Sequence, residues 1–66
     1  MPYYRCYVLD SGNNIVAVED ASHADDKAAM AWAEEIFIKR TDARGVELWQ
    51  GARMVDRKLR PSGDNS

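Results

Sequence analysis

Tyr3-Tyr4-Arg5-Cys6-Tyr7-Val8-Leu9, Asp10-Ser11-Gly12-Asn13-Asn14 and Ile15-Val16-Ala17-Val18 run one after another at the start of the chain, and the architecture can be read outward from them. The first run is rich in aromatic and β-branched residues, which suit the pleated, half-buried surface of a strand. The middle run gathers residues that accept positive φ or bond their own backbone, so it reads as a turn. The third run returns as a second strand. Together they predict a β-hairpin with a loop of about five residues.

The next segment changes period. Residues 25–39 contain no Gly or Pro and are rich in Ala, Lys, Glu and Met, which favour a helix. Two N-caps compete: Ser22, with Asp25 at the capping-box spacing, or Asp25 itself with Asp26 in the first turn. Asp25 and Asp26 complement the positive end of the helix dipole, and Lys39-Arg40 the negative end. At 100° per residue, Ala29, Trp32, Ala33 and Ile36 share a narrow stripe, with Met30 and Phe37 on its shoulder. Lys27, Ala31, Glu34, Glu35 and Ile38 lie opposite. The small alanines would let this helix sit close to a sheet.

Thr41-Asp42-Ala43-Arg44-Gly45 reads as a loop, with Gly45 a candidate turn residue. Val46-Glu47-Leu48-Trp49 and Arg53-Met54-Val55-Asp56-Arg57 are two further strand-like runs around Gly51, which marks a second hairpin turn. One loop length pairs Leu48 with Val55 and another pairs it with Met54, placing different residues on the core face. Residues 61–66 read as a disordered polar tail. The expectation is one α+β domain over residues 1–60. Its order is ββαββ, a mostly antiparallel four-stranded sheet with one helix packed on one face. A β-grasp arrangement, with the first strand beside the fourth, is one sheet order this allows.

Composition narrows the function classes. A chain of 66 residues forms one small domain. At that size folding buries only ~60% of the unfolded surface, and the core supplies ~3–5 kcal/mol. One Cys allows no internal disulfide, and one His with one Cys makes a poor zinc set. Self-association or docking on another protein is the remaining common source of stability. The longest apolar run, Ile36-Phe37-Ile38, is far from the ~20 residues a membrane helix needs. No signal-peptide pattern follows Met1, so a cytoplasmic location is expected. Charged residues at 30% and aromatics at 9% indicate a globular chain. The net charge of −2 splits into −3 over residues 1–40 and +1 over residues 41–66.

No constellation rises to a catalytic signature, and no cofactor or metal is expected. Cys6 has no base near it in sequence and reads as a small buried residue rather than a nucleophile. His23, Asp25 and Asp26 offer three metal-capable groups, but helix capping explains the same letters. Glu19-Asp20 and Glu34-Glu35 read as solvated surface, since acid–base work needs a pocket that shifts one pKa. No Gly-rich phosphate loop occurs.

One helix covers one sheet face, so the other must meet water or a partner. If Tyr4, Cys6 and Val8 face the helix, then Tyr3, Tyr7 and Leu9 line the open face; the opposite assignment exchanges the two sets. The first choice gives a candidate protein interface of Tyr3, Tyr7, Leu9 and Trp49, with Ile38 adding from the helix. Trp32 and Trp49 also fit the core. Arg53, Arg57, Lys58 and Arg60 form the one basic concentration, a candidate nucleic-acid contact beside sheet aromatics. The leading expectation is a non-enzymatic interaction module that binds itself or another protein through the open face or a sheet edge. The alternative is a nucleic-acid-binding regulator using the second hairpin.

The opening Tyr3-Tyr4-Arg5-Cys6-Tyr7-Val8-Leu9-Asp10, the helix start Asp25-Asp26-Lys27-Ala28-Ala29 and the run Glu47-Leu48-Trp49-Gln50-Gly51-Ala52-Arg53-Met54-Val55 resemble a group of short uncharacterised proteins of alpha-proteobacteria. The resemblance spans residues 3 to 59, and Glu-Leu-Trp-x-Gly-x-Arg is its most specific piece. It implies an intracellular bacterial origin and a self-contained fold. That group has no assigned activity, so no catalytic residue carries over.

Overall fold

The computed structural model describes residues 2–60; the tail expected over residues 61–66 lies outside them. Five elements follow in order: β1 (Tyr3–Leu9), β2 (Ile15–Ser22), α1 (Asp26–Lys39), β3 (Gly45–Gln50) and β4 (Arg53–Leu59). The strands form one antiparallel sheet in the order β2-β1-β3-β4. The α+β, ββαββ expectation therefore holds. The sheet order differs from a β-grasp: β1 lies beside β3, and β4 is an edge. No helix among the described residues is long and apolar enough to cross a membrane.

The first hairpin forms as its letters suggest. Asp10 Oδ1 accepts from the backbone N–H groups of Gly12 and Asn14, both at 2.9 Å, and Asn13 takes a φ of 64°. Leu9 pairs with Ile15 and Val8 with Ala17, so Val16 is an extra residue in a bulge. The strand then runs on to Ser22, four residues past the apolar stretch. Glu19 to Ser22 are poor strand formers, held extended by pairing with Tyr3–Cys6.

The second hairpin corrects both registers considered from sequence. Gln50 pairs with Arg53 across Gly51-Ala52, and Gly51 has a φ of 60°, the pattern of a type II′ turn. Trp49 pairs with Met54, but Leu48 pairs with Asp56, because Val55 is bulged out of the ladder. The bulge leans Val55 against the core. Gly45 is not in a turn. It begins β3, paired with Leu9 and Leu59.

Asp25 is the N-cap of α1, its side chain accepting from Ala28 N–H at 2.9 Å. Ala29 and Ala33 are fully buried, with Trp32, Ile36 and Phe37 packed beside them. The helix lies over β1, β3 and β4 and leaves β2 largely uncovered. Tyr4, Cys6, Val8, Val46 and Leu48 come up from the sheet to meet it, so the even residues of β1 are the core set. Cys6 is completely buried, and burial pushes its thiol up to about 11, with nearby Glu19 adding to the effect.

Candidate functional site: the open sheet face and the free strand edge

With Tyr4, Cys6 and Val8 beneath the helix, the odd residues of β1 line the other face. Pairing places side chains in rows across that face. One row is Asp20–Arg5–Trp49–Met54, the next is Val18–Tyr7–Glu47–Arg57, and the last is Ile15–Leu9–Gly45–Leu59. Tyr3 extends the surface beyond the first row and is 69% exposed.

A shallow cavity of about 260 Å³ lies here, lined by Tyr3, Arg5, Tyr7, Asp20, Trp49 and Gly51 among others. Arg5 is one of its walls. The Arg5 Nε donates to Asp20 Oδ1 at 2.8 Å, and this carboxylate holds the guanidinium firmly protonated, with Tyr7 contributing in the same direction. Trp49 is half-buried and donates its indole N–H to Glu47 Oε1 at 3.2 Å. Glu47 also meets Arg57 Nε at 3.5 Å. The face therefore presents aromatic planes around internally paired charges. Such a surface can pack against a partner without leaving an isolated charge in the contact.

Of the five residues expected at a protein interface, Tyr3, Tyr7 and Trp49 share this face. Leu9 does not serve: it points the same way but is only 5% exposed. Its neighbour in the row, Leu59, lies over Gly45, whose missing side chain leaves the space. Ile38 is 64% exposed but stands on the outer side of α1, across the sheet from the tyrosines, and cannot join one contact with them.

The basic cluster is dispersed. Arg53 points to the helix face and binds Asp26 with both Nη groups, at 3.0 and 3.2 Å, and also donates to Gln50 Oε1. Asp26 in turn accepts from the Tyr4 hydroxyl at 2.7 Å. Arg53 and Tyr4 together lower the Asp26 carboxyl below its ordinary range, while the same bond raises the Tyr4 phenol. Lys58 pairs with Asp56 on the helix side, and Arg57 points to the open face. Arg60 is structural. Its guanidinium donates to the carbonyls of Ala43, Phe37 and Arg40 at 3.0 to 3.4 Å and stacks 4.4 Å from the Phe37 ring centroid. It thus closes the C-terminal end of α1, where unpaired carbonyls collect. These four cations do not make one patch.

Sequence reasoning expected a sheet edge but could not say which strand forms it. β2 ends the sheet on one side, and Ile15, Val16 and Val18 are 56%, 51% and 49% exposed. The apolar letters were visible, but only the sheet order shows that no strand lies beyond them. His23 packs between Tyr4 and Trp32, with ring centroids 6.0 and 4.7 Å away, and its buried Nε2 has no hydrogen-bond partner among the described residues. Among the described residues no three His, Cys, Asp or Glu side chains gather in a way that could hold a metal ion. Compared with protein-family models, curated proteins and solved structures, the chain matches none.

Proposed function

We propose that this chain is a non-catalytic interaction module that binds protein, a second copy or another chain, through the open sheet face and the β2 edge. The observation that carries the reading is the distribution of exposed apolar side chains. Of the eight large ones that stand exposed among the described residues, six belong to the sheet: Tyr3, Ile15, Val16, Val18, Met54 and Leu59. Only Met30 and Ile38 stand on the helix. A small domain gains by covering such a surface, because its own core is short of buried area. A cytoplasmic setting belongs to the same reading, since the lone thiol is buried and free.

A photoreactive residue placed in turn at Tyr3, Val18 and Trp49, and for comparison at Ala31 and Glu34 on the outer helix, tests this in cells. Discrete adducts are expected from the sheet positions. Adducts from the helix positions alone, or from none, would overturn the reading.

A further inference from the structure

The β2 edge carries backbone groups as well as apolar side chains, and their directions follow from one bond. His23 N–H donates to the Pro2 carbonyl at 3.1 Å, one step beyond the Tyr3–Ser22 pair. Bonded and non-bonded pairs alternate along an antiparallel ladder. Ala21, Glu19 and Ala17 therefore bond inward to β1, and Ser22, Asp20 and Val18 direct their N–H and C=O groups outward. Those outward groups form a row of donors and acceptors along the free edge.

We infer that β2 pairs antiparallel with β2 of a second copy, about a two-fold axis at Val18, to make one continuous eight-stranded sheet. The inference rests on the interaction reading above and names its partner. A two-fold axis normal to the sheet sets each residue opposite its mirror position, so the registers can be compared directly. Centring on Glu19 or Asp20 opposes like carboxylates, which is destabilising. Centring on Ala17 or Ala21 leaves most of the strand without a partner. Centring on Val18 puts Val18 against Val18, Glu19 against Ala17 and Asp20 against Val16, up to the bulge. It pairs the strand from the bulge to Asp20 and opposes no like charges.

Three further observations agree. Asp20 is already neutralised by Arg5, so Glu19 brings the one acid of β2 without an ion pair among the described residues. The helix lies away from β2 and leaves the approach open. Tyr7 sits beside Val18 in its row, so the seam would join an apolar stripe Tyr7–Val18–Val18–Tyr7 across the two copies. The other edge is a poorer partner. β4 is lined by Arg53, Asp56, Arg57 and Lys58, its ladder is broken at Val55, and joining β2 to β4 would be head-to-tail and open-ended.

The test uses the full chain. Sedimentation across a concentration series is expected to show a reversible species of twice the 7.5 kDa chain mass. Val18→Lys should weaken it at least about tenfold while leaving the circular dichroism unchanged. Val18→Cys should form an interchain disulfide under mild oxidation, because directly opposed bonded pairs place Cα atoms about 5.5 Å apart. Wild type, whose Cys6 is buried, and Ala31→Cys should not. Should Val18→Lys fail to fold, the Val18→Cys result decides alone. A chain that stays monomeric at every concentration, or a dimer in which Val18→Cys does not link, overturns the pairing. If sheet-face adducts in cells still reach another protein, the interaction reading survives that outcome; if they vanish too, both fall.

Discussion

A Cβ added at Gly45 would sit 2.6 Å from both Leu59 Cδ2 and the Lys58 carbonyl oxygen. The leucine tip can move, but the carbonyl belongs to a paired strand and cannot move without disturbing β4. Gly45→Ala should therefore destabilise the fold by about 1–3 kcal/mol, the usual range for overpacking. Denaturant unfolding checks this, and an unchanged midpoint would show that the β3–β4 spacing has slack. The run Thr41–Gly45 suggests a turn glycine because turns are where glycine is expected locally. Its actual reason is contact with residues thirteen and fourteen positions away, which no local pattern contains. Arg60 is illegible for the same reason. Its three carbonyl partners and Phe37 come from the end of α1 and the loop after it, so only the folded chain shows that it is occupied.

Elements were legible where their causes are local. Asp25 caps α1 and the alanine stripe is buried because capping and periodicity are properties of neighbouring letters. The length of β2 and the bulge at Val55 were not, since strand pairing imposes both. The Tyr4–Asp26–Arg53 network is the main link from the start of the helix to β1 and β4, and it carries a pH signature. Asp26 is held below its ordinary value by Arg53 first and Tyr4 second. A carboxyl lowered on folding stabilises the native state fully above its unfolded value of about 3.9, and that contribution is lost as pH falls through the lower folded value. Asp10, lowered mainly by backbone N–H groups in the first loop, acts in the same direction. Stability should thus decline in acid, and Asp26→Asn should flatten the decline. An identical acid limb in the variant would mean that Asp26 contributes nothing to it.

At the scale of the whole molecule the two edges are unlike, and this was hidden in the sequence because sheet order is a global property. The letters Ile15-Val16-Ala17-Val18 describe a strand but not whether it lies inside the sheet or at its margin. The observed order makes β1 and β3 interior and leaves β2 bonded on one side only. Amide exchange should register this with a period of two. In dilute solution the N–H groups of Val18, Asp20 and Ser22 are expected to exchange quickly while those of Ala17, Glu19 and Ala21 are protected. Raising the protein concentration should slow Val18 and Asp20 and leave the second set unchanged. Uniform exchange along β2 at all concentrations would contradict the bonding pattern.

The placement of β1 also bears on how the polypeptide is made. Of the four strands it is synthesised first, yet it ends as an inner strand, with one neighbour a short loop away and the other beyond α1. While residues 15–39 emerge from the ribosome, β1 can pair with β2, but its other side waits for residues 45–49. Distant pairing of this kind raises contact order and slows closure of the sheet. During that interval the nascent hairpin presents Cys6, Val8 and Leu9 uncovered on a chain that already carries the apolar segment of β2. Translation speed through α1 therefore sets how long that surface is open to the wrong neighbour.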